Sequence, residues 1–238
     1  MRKSLSFLLF IFLTTQTACG QSRASQDSPT GTDTKLVPTV YYHPLLNIEA
    51  ESCSSNELKD ITNSKGEKVA TICSKDIKNC ARQGSCTVLN QGNHIHFVYE
   101  KHKNGVVFFE KYDLDDCHYG FGVQNICVDP YHSVAADLTI YKTGDVIFVP
   151  TVRGAVLPTG EVHDGYFIVR DTGNAIKGLG RFDFYTGYEA PFEAKNTFAK
   201  MNLNDPKEKF DYVLVKDSAI IEKVKKLRKY PLVPKMNY

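Results

Sequence analysis

The 238-residue sequence predicts a mainly β domain that ends in one helix, and three observations carry that expectation. Short runs of aromatic and β-branched residues recur, each bounded by Gly, Asn, Asp or Pro, as strands between turns are. One pair of runs flanks Asn104-Gly105, and both positions tolerate positive φ, so a two-residue hairpin turn is expected there. Glycine-rich turns of this kind suit a small closed barrel. Last, Ile220, Ile221, Val224 and Leu227 fall on one helical face, with Asp217-Ser218 placed to cap it and Pro231 just beyond.

In chain order, residues 1–20 are expected to be a targeting signal. Arg2 and Lys3 form a basic start, and Leu5 to Leu13 is an apolar run too short to span a membrane. Two endings fit. Cys19 can be the lipidated first residue of an exported lipoprotein, or Ala18-x-Gly20 can be an ordinary cleavage site. Either ending exports the chain, to the periplasm, to the outer membrane as a lipoprotein, or into the medium. Residues 21–36 are mostly polar and read as a flexible linker.

The globular unit then divides into a disulfide-rich β region (37–132) and a barrel core with the C-terminal helix (133–238). Val37 to Tyr42 is the opening strand, with Pro38 near its start where a missing N–H is tolerated. The polar stretch Ser52 to Lys78 is expected to loop around a short helix at Glu57 to Ile61. Strands follow at Cys86 to Leu89, His94 to Tyr99 and Val106 to Phe109. Further strands are expected at Asp145 to Val152, Gly165 to Asp171, Phe182 to Thr186 and Asp211 to Val215.

Seven cysteines less Cys19 leave Cys53, Cys73, Cys80, Cys86, Cys117 and Cys127, enough for three disulfides in an oxidising compartment. Spacing alone leaves all fifteen connectivities open. Zinc is the competing use, but Cys73, Cys80 and Cys86 contain no C-x-x-C pair. His94 and His96 share a strand face without an obvious third ligand, so no metal and no cofactor is expected. His163-Asp164 reads as polar loop surface, and Glu161 and Glu189, near the central segment, are candidate second carboxylates. A formal net charge of +2 gives little support for nucleic-acid binding, and the Lys-rich face of the C-terminal helix reads as a solvated surface. A monomer is expected.

The most informative stretch runs from Gly165 to Gly187. It opens as a strand, breaks at Asp171-Thr172-Gly173-Asn174, where a hydrogen-bonded turn fits, and returns as Phe182-Asp183-Phe184-Tyr185. Two carboxylates thus bracket a glycine-rich connection. Asp171-Thr-Gly-Asn-Ala-Ile-Lys-Gly178 with Arg181-Phe-Asp-Phe-Tyr185 resembles the core of the 3D (three-aspartate) domain, found in MltA-type lytic transglycosylases. The resemblance covers Ser133 to Gly187, with a first aspartate at Asp137. Asn174 replaces a usual glycine, Leu179-Gly180 adds a residue, and Thr151 to Gly165 looks inserted. It implies a double-psi β-barrel and cleavage of peptidoglycan glycan strands, with Asp183 as general acid and then base. Asp171 would be its partner, and Asp137, Thr172, Gly173, Asn174, Lys177 and Tyr185 would contact substrate.

That chemistry needs an acid still protonated when the glycan binds, so burial or a neighbouring carboxylate must raise its pKa. Asp183, between two phenylalanines, has the more apolar sequence setting. Two other readings fit parts of the pattern. Asp-Thr-Gly is also the aspartic-protease signature, but those enzymes need two such aspartates and this chain has one. A barrel with an acidic groove could also hold cell-wall sugars without cutting them.

Overall fold

The computed structural model describes residues 35–48, 53–112 and 117–233. The expected signal, Cys19 and most of the linker lie outside the described residues. No helix among the described residues is long and apolar enough to cross a membrane.

The regular structure of the described chain is mostly strand, folded around two main cores. The first is a seven-stranded sheet built from β1 (Lys35–Tyr41), β8 (Ser133–Ala136), β9 (Val146–Phe148), β10 (Tyr166–Asp171), β11 (Arg181–Tyr185), β12 (Phe210–Asp211) and β13 (Val213–Leu214). Its order is β12-β1-β11-β8-β10-β9-β13. Two parallel pairs, β1 with β11 and β8 with β10, are joined by the antiparallel pair β8–β11. Strand alternation sends Val134, Ala136, Val169, Phe182 and Phe184 to one face, where they form the core with Phe167 and Phe198.

The two outermost strands, β12 and β13, are separated in sequence by Tyr212 alone. One intervening residue spans about 7 Å at most, so the sheet must curl until its edges nearly meet. No ladder joins those edges among the described residues, and the barrel is left open at this seam. Tyr212 plugs it: buried, it shares a 2.8 Å hydrogen bond between its hydroxyl and that of Tyr141. The expected strand at Asp211 to Val215 is therefore two short strands broken at this residue.

The second core belongs to the disulfide-braced half. β2 (Leu45–Asn47), β5 (Ser85–Asn90), β6 (Asn93–Lys103) and β7 (Val106–Tyr112) form one sheet, and β3 (Leu58–Thr62) and β4 (Lys68–Cys73) form a separate hairpin. Asn104 and Gly105 adopt φ of 52° and 80°, as the hairpin expectation requires. The short helix expected at Glu57 to Ile61 is instead strand β3, because Lys68–Cys73 supplies an apolar partner strand that local propensity did not reveal. The helix of this half is α1 (Ser74–Gln83), which ends at Gly84 in a left-handed conformation. Disulfides join Cys53 to Cys73, Cys80 to Cys86 and Cys117 to Cys127.

Polar side chains weld the halves together. Buried His43 meets the Thr87 hydroxyl at 2.7 Å and that of Ser85 at 2.9 Å, while its backbone N–H donates to the Gly187 carbonyl. After β11 come the short helix α2 (Thr197–Lys200) and α3 (Ser218–Leu227). Asp217 caps α3 as expected, accepting from the N–H groups of Ala219 and Ile220. Ile220, Ile221 and Val224 pack against Val146, Phe148 and Ile168. Leu227, expected on the same buried face, is instead exposed.

Candidate active site

Register decides what the sheet presents opposite its core. Asp183 on β11 pairs with Ala135 on β8 and, on its other side, with Thr39 on β1. Asp171 on β10 also pairs with Ala135, from the far side of β8. Thr39, Asp183, Ala135 and Asp171 thus form one row across four strands, and paired residues share a face. The two aspartates sit two strand spacings apart, about 10 Å between backbones, with Ala135 the residue between them in the row.

A one-residue slip puts Asp171 in that row. Val169 pairs with Val134, but the next pair is Asp171 with Ala135, which leaves Arg170 as an extra residue. Without the slip, Asp171 would lie opposite core-facing Ala136, and its carboxyl would turn inward. Arg170 is held in place by charge-assisted hydrogen bonds, 2.6 Å to the Cys127 carbonyl and 2.7 Å to that of Arg228. Both ends of the Asp171–Asp183 connection are also fixed. At Gly180, φ is +74° and a Cβ would stand 2.5 Å from the Lys35 carbonyl, so only glycine lets the loop return to β1.

The two carboxyls differ in environment. Asp183 lines a cleft of about 610 Å³ between the halves, together with Thr39, Tyr41 and the Gly173–Ile176 turn. The Thr39 hydroxyl donates to its Oδ1 at 2.6 Å, leaving Oδ2 for a proton. Burial raises its pKa, and the hydrogen bond from Thr39 and the charge of Arg181 partly offset that rise. Asp171 is not among the cleft-lining residues. Gly122 packs on it so closely that a Cβ would lie 2.9 Å from the aspartate's own Cβ. Burial pushes the Asp171 pKa up to about 6, and the charge of Asp183 adds to the rise. Tyr41 belongs to both environments. Its buried hydroxyl interacts with Asp171 and lowers that carboxyl's pKa, and the charges of Asp171 and Asp183 in turn raise its own.

The other residues expected to contact substrate divide in two. Gly173 and Asn174 line the cleft with Asp183. Thr172 is held at the loop base, its hydroxyl donating 2.9 Å to the Ala136 carbonyl. Asp137 accepts hydrogen bonds from the Thr139 N–H and hydroxyl and from the Gly178 N–H. These bonds bring its pKa down to about 2, so its carboxylate anchors the glycine-rich connection. Lys177 is exposed, 4.0 Å from Asp137, and Tyr185 is buried with its hydroxyl donating to the Tyr119 carbonyl at 2.6 Å.

His163-Asp164 is not the surface pair expected. His163 is buried and stacked on His132, with ring centroids 4.6 Å apart. These two histidines and Asp164 are the described residues nearest to a metal-ligand set. His163 is already committed, however: Nδ1 accepts the Gly165 N–H, so Nε2 carries the proton and donates to the Tyr131 carbonyl. Arg228 fills the acidic side, bridging Glu161 and Asp164 at 2.8 and 3.2 Å. The cluster is a polar strut. Glu161 lines a separate pocket with Glu189, away from Asp183.

Sequence reasoning missed Thr39, Tyr41, Ala135 and the α1 wall of the cleft. Thr39 and Tyr41 alternate onto one face of a recognised strand, which was the available signal. Their partner strand lies more than 140 residues away, so nothing local ties them to Asp183.

Residues 132–202 match the family model of the 3D domain. No curated protein matches the chain. Similar solved structures include Escherichia coli MltA with bound chitohexaose, at 16% identity over 64% of this chain and TM-score 0.46. The match spans 65% of that MltA chain. The lytic transglycosylase LtgG of Burkholderia pseudomallei is 16% identical over 74% of this chain and 70% of its own, with TM-score 0.43. A membrane-bound lytic murein transglycosylase from Agrobacterium tumefaciens is 14% identical over 78% of this chain and 75% of its own, with TM-score 0.45.

Proposed function

We propose that this chain, which carries a 3D domain, is an exported enzyme that cuts the glycan backbone of peptidoglycan, with Asp183 as its acid and then its base. One observation carries the reading: a half-buried aspartic acid with a raised pKa opens into a cleft, and a second carboxyl shares its face of the sheet.

Protonated Asp183 donates to the glycosidic oxygen between N-acetylmuramic acid and N-acetylglucosamine as the C1–O bond breaks and positive charge grows on the sugar ring. The resulting carboxylate then takes the proton of the muramic acid C6 hydroxyl. That oxygen closes on C1, giving a 1,6-anhydro end without consuming water and returning the proton to Asp183. Burial is what favours a proton on Asp183, and Asp171, on the same face of the sheet, is in this reading the partner carboxyl that orients the sugar through hydrogen bonds. Thr39 fixes the carboxyl orientation, and the disulfides suit a compartment outside the cytosol.

The test is mass spectrometry of purified peptidoglycan incubated with the wild type and with Asp183→Asn. Soluble fragments with anhydro ends are expected from the first, and a drop of about 10²-fold or more from the second. Hydrolysed ends would make the enzyme a lysozyme acting through the same residue. Equal digestion by both proteins would refute the assignment.

A further inference from the structure

The cleft has two unlike walls. Among the described residues Asp183 is the single carboxylate lining it, whereas Arg82, His102 and Arg181 also line it. Arg181 lies beside Asp183, and its Nη1 donates to the carbonyls of Val37 and Phe182. The opposite wall belongs to the disulfide-braced half: Arg82 in the last turn of α1, and His102 and Tyr99 on β6. No ion pair among the described residues engages Arg82, so its guanidinium is available. Tyr99 exposes its ring beside these groups, as a surface for the apolar face of a sugar.

A neutral sugar polymer needs no arginine opposite its scissile bond. We propose that the Arg82–His102 wall binds a carboxylate carried by the glycan, so that the protein selects strands bearing acidic groups beside the bond to be cut. This rests on the glycan-cleaving reading above and adds to it the feature that is recognised. A guanidinium holds a carboxylate through paired charge-assisted hydrogen bonds, and a cleft lined mostly by one sign of charge concentrates ligands of the other. In peptidoglycan that carboxylate has two sources. Peptide-free muramic acid exposes the acid of its lactyl ether, and substituted muramic acid carries it on the stem peptide.

The test is calorimetric binding to the full-length Asp183→Asn protein, which leaves the ligand intact. Three tetrasaccharides of alternating N-acetylglucosamine and N-acetylmuramic acid serve as probes: one with free lactyl carboxylates, one with those groups converted to amides, and one carrying stem peptides. The free acid should bind about tenfold tighter than the amide at low salt, and the ratio should shrink as ionic strength rises. Adding Arg82→Gln and His102→Gln should collapse the ratio toward one, with circular dichroism unchanged. A peptide-bearing strand that binds as tightly as the free acid supports the proposal with the stem as the source. Acid and amide binding equally would overturn it while leaving the glycan reading intact. A preference that survives both substitutions would also overturn it, and no binding of any probe would sink both readings.

Discussion

Asp171→Asn should stabilise the protein while impairing its chemistry, and the stability gain should depend on pH in one direction. The folded-state pKa of Asp171 is raised from 3.8 to about 6 by burial under Gly122 and by the charge of Asp183. The folded state therefore holds that proton more tightly than the unfolded chain does. The stabilisation this gives is complete below pH 4 and is lost as pH rises through 6, after which the ionised carboxyl costs roughly 2–3 kcal/mol. Asparagine cannot ionise and avoids that cost. Thermal unfolding of both proteins from pH 4 to pH 8 should show similar melting temperatures at pH 4. The curves should diverge between 4 and 6 and then hold a constant gap of about 4–10 °C. Curves parallel across the whole range would show that Asp171 is not buried beside a second acid, and the proposed pairing would fail with it.

Tyr41→Phe removes a hydroxyl that lowers the Asp171 pKa, so the same pH-dependent transition should move above 6 in that variant. Ala135→Val inserts bulk between the two aspartates. Fragment release should fall at least tenfold, with a stability loss of about 1–3 kcal/mol measured in urea. Gly180→Ala places a Cβ against the Lys35 carbonyl, and should both destabilise the protein by more than 1 kcal/mol and reduce activity, because β1 carries Thr39 to Asp183. Replacing Cys117 and Cys127 by alanine should cost about 2–4 kcal/mol in chemical denaturation. Activity should fall further than stability alone predicts, since the Cys127 carbonyl holds the Arg170 bulge.

Elements whose signals are local were legible. The Asn104-Gly105 turn, the Asp217 cap and the strands around Asp171 and Asp183 each depend on residues a few positions apart, and the structure has them. The exceptions have non-local causes. Leu58–Thr62 is a strand because β4 pairs with it, and His163 is buried because His132, some thirty residues earlier, stacks on it. Asp137 has its place in the acidic motif, yet three hydrogen bonds turn it into an anchor for the loop.

The amino-acid sequence by itself determined that this is a mainly β, disulfide-bearing chain with two aspartates flanking a glycine-rich turn, because composition, alternation and turn chemistry act over short spans. Only the tertiary structure decided that the two carboxyls share a face. That outcome depends on one extra residue at Arg170 in the pairing of β10 with β8, and a slip of one residue reverses every side chain beyond it. The cleft is tertiary for the same reason: its walls come from segments far apart in the chain, and only packing one half on the other brings Arg82 and Asp183 to the lining of one cleft.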